Sequence, residues 1–348
     1  MRAGLALYLV LGAAGCRPCA PSQPIPAVNG ARREVIFHGM CDASGAVALS
    51  PRMFAVADDE DNALRVYDPD RGGAPLGSVD VSDGLDLRRA SAGKKKKKKQ
   101  KPKKKAPETD IEAATRLGDH AFWITSHARS SSGKLKDARL RFFATNVPQR
   151  GIEMEVVGQP YETLITDLIA DPRFTRFELA RAAELGPKTP GGLNIEGMTE
   201  REQGGVFIGF RNPIPNGQAL IVPLLNPDQV ILGAPPQFGD PLALDLGGLG
   251  VRSLSWWRGR YLIIAGHYDS GAPSRLYVWD GRRAPRHVAA FSFDRFNPEG
   301  FFSPEEREEI LLLSDDGGRA IGSEDCKQLE DSADKRFRGV WLKLPRGS

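Results

Sequence analysis

The chain has 348 residues, of which 41% are hydrophobic, 8% aromatic and 26% charged. That is a globular composition, long enough for one large or two ordinary domains, and its 38 Gly and 26 Pro suit a turn-rich β-fold better than a helical one. The formal charge of +4 comes from one segment. Lys94 to Lys105 holds ten of the 48 basic residues, so the remainder carries 38 basic against 44 acidic residues, or −6. A mildly acidic body excludes specific nucleic-acid binding, which needs a basic footprint spread over one face. Four cysteines are too few for a disulfide scaffold or a Cys-rich metal domain.

In chain order, Arg2 is a minimal basic region, Ala3 to Leu11 is apolar, and small residues follow. This is the pattern of a secretory signal over residues 1–15, too short for a membrane-spanning helix. Ala13-Ala14-Gly15-Cys16 resembles the lipobox of bacterial lipoproteins, which implies that Cys16 becomes the lipidated first residue. Ala13 stands where that pattern prefers Leu, so ordinary signal cleavage remains the alternative. By the same resemblance, to Gram-negative lipoproteins, Arg17 rather than Asp after the cysteine implies a periplasm-facing outer-membrane lipoprotein, with a secreted or periplasmic protein as the other address. Residues 16–33, with Pro18, Pro21, Pro24 and Pro26, form an extended tether to the membrane. Cys16-Arg-Pro-Cys19 lacks the surrounding βαβ pattern of a redox CxxC.

Strands dominate the rest, and they recur. Five units each carry a polar anchor and then short apolar strands. The anchors are Asp42 to Gly45, Asp110 to Ala113, Asn194 to Gly197, the degenerate Val251 to Leu254, and Asn297 to Gly300. Second strands are expected at 53–59, 121–127, 206–211, 261–267 and 310–316, and third strands at 63–68, 139–144, 219–224, 275–280 and 337–342. Fourth strands are expected at 76–81, 151–157, 242–246 and 287–293. Four strands per unit at this period predict a five-bladed β-propeller over 34–344, with 345–348 as a tail. The last unit lacks a fourth strand, and Glu34 to Phe37 is an orphan; the orphan completes the last blade and removes a free edge. A sixth irregular blade within 160–190 is the alternative.

Two insertions interrupt the pattern. The Lys-rich stretch 94–107 reads as a disordered, solvated loop, or in a sharper reading as a contact for anionic surfaces. In 160–190, Leu164, Ile165, Leu168 and Ile169 have helical spacing. That predicts helices broken at Pro172, packed over the ring, with a moving lid as the alternative.

The runs Lys188 to Met198 and His38 to Gly45, together with Leu-Ser-Asp-Asp-Gly-Gly (313–318), Glu-Asp-Cys-Lys (324–327) and Phe-Arg-Gly-Val-Trp (337–341), resemble a bacterial propeller family, domain of unknown function 3616. The Asn-x-Glu-Gly anchors are more remotely similar to those of esterase-like phytases and calcium-dependent lactonase propellers. The nearer resemblance implies a propeller without an assigned reaction.

No Gly-x-Ser-x-Gly elbow, His-Glu-x-x-His or phosphate loop occurs. What remains is topological. Each innermost strand leaves the face to which the second strand returns, so anchors and second-strand exits meet at one channel mouth. The expected ring is Ser44, Glu112, Glu196, Ser253 and Glu299, joined by Asp59, His127, Arg211, His267 and Asp315, with Asp58 and Asp316 beside them. Converging carboxylates need a cation, Arg211 or bound protons to coexist. Oxygen donors favour Ca²⁺ or Mg²⁺, with Glu112, Glu196, Glu299, Asp59 and Asp315 as ligands and His127, His267 and Arg211 as catalytic candidates. Two functions stand: a metal-assisted hydrolase of a phosphoester, ester or lactone, and a non-catalytic envelope protein binding a small-molecule ligand or a partner. In the structural alternative, Asp42, Asp110, Asn194 and Asn297 cap turns and the glutamates hold blades in register. Finally, ring closure brings Cys41 beside Cys326, and in an exported protein a disulfide between them is expected.

Overall fold

The computed structural model describes residues 30–87 and 106–345. The signal segment, Cys16, most of the tether, the lysine run Lys94 to Lys105 and the last three residues lie outside them.

β1 (Arg33–His38) precedes the first full blade, β2 (Ala46–Ser50), β3 (Met53–Ala57), β4 (Ala63–Tyr67) and β5 (Gly77–Asp80). The second blade is β6 (Ile111–Leu117), β7 (His120–Thr125), β8 (Phe142–Asn146) and β9 (Val156–Tyr161). The third is β10 (Asn194–Glu200), β11 (Val206–Asn212), β12 (Ala219–Leu224) and β13 (Leu242–Leu244). The fourth is β14 (Gly250–Trp257), β15 (Arg260–Gly266), β16 (Arg275–Trp279) and β17 (Arg286–His287). In the fifth, β18 (Pro298–Phe302) and β19 (Ile310–Ser314) are followed by a small ribbon, β20 (Ala320–Ile321) and β21 (Glu324–Asp325), and then by β22 (Arg336–Leu342). The blade order β18-β19-β22-β1 makes the N-terminal strand the outermost of the last blade. The protein is therefore a five-bladed propeller closed by its N-terminal strand.

Each middle strand is stacked on both faces by neighbouring blades, so β7, β11 and β19 read as continuous apolar runs rather than alternating ones. The core is accordingly a set of wedges between blades: one and two, two and three, three and four, four and five, five and one. The β14–β15 turn, Arg258-Gly259, has both residues at positive φ, the twist that matches a two-residue hairpin. Where the inner strands converge there is no room for side chains: a Cβ at Gly197 would sit 2.6 Å from Val251 Cγ1, and one at Gly45 2.8 Å from the Ala113 carbonyl carbon.

Two expected fourth strands differ. Of the segment 287–293 only His287 joins the sheet, in the two-residue strand Arg286–His287, before the chain turns inward, where Val288, Phe291 and Phe293 fill the wedge between blades four and five. The strand expected at 151–157 forms instead at Val156–Tyr161, because Met154 is buried in the wedge between blades one and two. The 160–190 insertion is helical, Leu164–Ala170, Pro172–Phe177 and Leu179–Ala182, and forms no sixth blade. Leu164, Leu168, Phe174 and Phe177 pack against blades two and three. Cys41 and Cys326, 285 residues apart, are disulfide-bonded with Cα atoms 5.8 Å apart, joining the first anchor to the fifth blade.

Candidate functional site

The innermost strands share one irregularity. Pairing with the second strand slips between Ile111 and Ala113, Ile195 and Gly197, Val251 and Ser253, and Pro298 and Gly300. The residue left out is Glu112, Glu196, Arg252 and Glu299 in turn. Such a bulge re-aims one side chain without moving the rest of the strand, and the glycine or small residue after it keeps adjacent blades close. Ser44 holds the same place ahead of β2. The fourth member of the ring is thus Arg252 and not Ser253. The degenerate anchor aligns as Gly250-Val251-Arg252-Ser253, and in a strand a shift of one residue exchanges the two faces.

Arg252 serves as an internal counter-ion. Only 3% of it is exposed; it donates to the Glu299 carboxylate and to the Asn297 side-chain oxygen, and its Nε lies 3.6 Å from Glu196 Oε2. Glu196 also accepts from Arg211 at 2.6 Å and from Asn194 at 2.8 Å. Arg211 in turn donates to the His267 carbonyl and the Ser270 hydroxyl. Two ring glutamates are therefore held by arginines.

The first-blade side has no such partner. Carboxylate oxygens of Asp42, Asp58 and Asp59 come within 4.8 Å of one another. Among the described residues no lysine or arginine hydrogen-bonds to any of them. Burial and the hydrogen bond to Asp315 push Asp42 up to about 11, so this pair shares a proton. Asp315, although burial opposes it, is kept low by the bond from Asp42 and by Arg252. Burial and the Asp61 charge raise Asp58 to about 7. Burial and neighbouring charges also raise Asp59, through Asp58, and Glu112, through Asp110 and Glu196, well above the ordinary range. Asp110 rises to about 6 through burial, with Arg139 opposing. Buried and unpartnered here are Ser44 Oγ and Asp59 Oδ1. All donors are oxygens, the set that hard divalent cations take.

Glu112, Glu196, Glu299, Asp59, Asp315 and Arg211 thus share one electrostatic cluster. The histidines stand outside it. His127, at a positive φ, has Nδ1 2.9 Å from the Thr125 carbonyl, Nε2 buried without a partner, and a pKa drawn down to about 4 by burial. It is a neutral buried imidazole, not a proton carrier at the mouth. His267 is on the rim, its Nδ1 bonded to Asp269. Asp316 is occupied by Arg338, at 2.8 and 2.6 Å, and by Ser314. Asp42, read from sequence only as a turn cap, belongs to the cluster.

Two hollows open beside the mouth. A cleft of about 1080 Å³ between blades four and five is lined by Arg252, His267, Asn297, Asp315, Arg319 and Arg338 among others. A second, of about 540 Å³, lies between the helical insertion and the third and fourth blades and shares His267.

No curated protein matches the chain. Among solved structures, an aldose sugar dehydrogenase from Streptomyces coelicolor in its PQQ-bound form is 11% identical over 90% of this chain and 98% of that one, with a TM-score of 0.43. A luciferin-regenerating enzyme is 6% identical over 90% of this chain and 96% of that one, with a TM-score of 0.42. Such likeness is limited to general outline and carries no chemistry. A family description, by contrast, matches residues 91–298, from the lysine run to the opening of the fifth blade, and the chain belongs to that family, the proteins of unknown function DUF3616.

Proposed function

We propose that the cup binds a divalent cation, Ca²⁺ or Mg²⁺, and that the protein is an exported hydrolase of a phosphoester, ester or lactone. The observation that carries the reading is the convergence of Asp42, Asp58 and Asp59 without a cation supplied by the protein. Those three carboxylates, with Glu112 and the Ser44 hydroxyl nearby, are the groups that would hold the ion. When bound, such an ion polarises an oxygen of the substrate and makes water a stronger nucleophile at neutral pH. Arg211 and Arg252 fix Glu196 and Glu299 and so keep the ring from collapsing onto the ion. His267, with Nδ1 held by Asp269, is the group placed to move a proton at the edge of the larger cleft. The Cys41–Cys326 bond supports export, since disulfides persist in oxidising compartments. Lipid at Cys16 would be seen by mass spectrometry of the mature N-terminus, and an unmodified Cys16 inside a longer chain would remove the anchor.

The test of the chemistry is metal analysis of purified protein, then esterase, phosphatase and lactonase assays with and without chelator, on wild type and Asp59→Asn. Chelator-sensitive turnover lost in Asp59→Asn supports the hydrolase. A second reading, a non-catalytic binding propeller, is favoured by the pairing of Glu196 and Glu299 with arginines. It prevails if the protein retains a cation and turns over none of these substrates.

A further inference from the structure

We propose that the cleft between blades four and five binds the anionic head, a phosphate or a carboxylate, of a small-molecule ligand. The inference rests on the reading of the cup as a ligand site and names what that ligand carries.

The cleft, about 1080 Å³, is of the size that encloses a metabolite-sized ligand. Its inner acids are already engaged. Asp316 is held by Arg338 and Ser314, and Asp315 accepts from the Asn297 amide at 2.8 Å and the Gly317 N–H at 3.0 Å. Its cations are not all engaged. Arg319 makes no side-chain hydrogen bond among the described residues and has only a long ion pair, 3.8 Å, to Asp316. Arg295 has no side-chain partner among the described residues. Arg252, buried at the inner end, is taken up by Glu299, Asn297 and Glu196 and is not free for a ligand. Arg338 is engaged with Asp316, and its guanidinium carbon lies 5.4 Å from the centre of the Phe296 ring. The two remaining acids, Glu34 and Asp294, are exposed, where salt and water screen them.

Arginine forks are satisfied best by planar or tetrahedral oxyanions. A neutral ligand would leave those donors unpaired. An anion seated here lies beside Asp315, whose backbone bridges to Asp42 of the cation cluster, so the rest of the ligand extends toward the cup.

The experiment is calorimetric titration of inorganic phosphate, and separately acetate, into the chelator-treated full protein, with glycerol as the neutral probe. Arg295→Gln and Arg319→Gln change exposed side chains, and thermal unfolding of the double variant checks that the fold is kept. Binding of either anion is expected to weaken about tenfold in the double variant, the loss of one charge-assisted hydrogen bond or more, and to weaken as salt is raised. Tighter binding of phosphate assigns a phosphate head, and tighter binding of acetate a carboxylate head. The inference is overturned if neither anion binds, or if the double variant binds as wild type does. A separate calcium titration keeps the two readings apart: calcium binding without anion binding sinks the cleft and spares the cup, and arginine-dependent anion binding without calcium binding does the reverse.

Discussion

Arg252→Met removes the cation that the fold itself supplies to the ring, and its effect can be worked out beforehand. Burial acts to discharge Arg252, yet the charges of Glu299, Glu196 and Asp315 keep it above its ordinary value. A methionine fills the stem but leaves Glu299 and part of Glu196 buried without their partner. Breaking one side of a buried ion pair costs about 3–5 kcal/mol. For a domain of this size that is a fall in Tm of about 6–10 °C. The sign with pH follows from Glu299. Burial raises it from 4.5 to about 8, while Arg252 pulls it down; without Arg252 it rises further. A carboxyl whose folded pKa is raised is no burden while protonated, and destabilises progressively as pH climbs from its unfolded value through its folded one. Wild type shares that burden up to about pH 8, so the variant should lie close to wild type at pH 5 and fall progressively below it as pH passes about 8. Thermal unfolding followed by circular dichroism at pH 5 and pH 9 tests this. Adding Glu299→Gln should restore most of the loss at pH 9, because the orphaned charge is gone. Equal destabilisation at both pH values, or none at pH 9, would refute the counter-ion role and leave Arg252 as packing.

If the first-blade carboxylates take a divalent ion, they release protons to do so. Calcium affinity should rise from pH 6 to pH 8 as Asp58, near 7, deprotonates, and titrations in two buffers of different ionisation enthalpy should show proton release; its absence would count against a cluster that is protonated when ion-free. Replacing both Cys41 and Cys326 with serine should cost ~5–6 kcal/mol on the chain-entropy account of so long a loop, read as a lowered denaturant midpoint, and an unchanged midpoint would show the ring closing as firmly on β1 alone. Gly197→Ala should destabilise by about 1–3 kcal/mol because its Cβ meets Val251 and Leu254, whereas Gly318→Ala, with nothing within 4 Å, should be neutral; equal melting of the two would contradict the close approach of blades.

The repeat was legible because the propeller writes its geometry into every blade: an apolar run for a strand stacked on both faces, and a glutamate before a small residue at the mouth. Closure by Glu34 to Phe37 followed from one unit lacking a strand and one strand lacking a unit. Arg252 was not legible. Its blade has Gly250 where others have Asp or Asn, so nothing in the composition fixed the register, and only the pairing across Val251 and Ser253 does. The histidines misled for a related reason. A strand exit places a backbone at the mouth, but at positive φ His127 turns its ring back onto Thr125. Burial that draws the inner end of 287–293 into a wedge is likewise a property of the neighbouring blade, not of the segment.

The order of the last blade also has a mechanical side. β1 is an edge strand paired along its length with β22, from Arg33 opposite Trp341 to His38 opposite Arg336, and tied to the first blade by a single backbone bridge, Phe37 to Gly73. Tension applied to the chain ahead of Arg33 would be borne first by that short ladder, which can open one pair at a time. The peeling would stop three residues beyond His38, where Cys41 is fastened to Cys326. Past that point the pull passes into the fifth blade and not along the chain into the first. The anchor that begins at Asp42, and the carboxylates grouped behind it, would stay in place while the strand in front of them was stripped away.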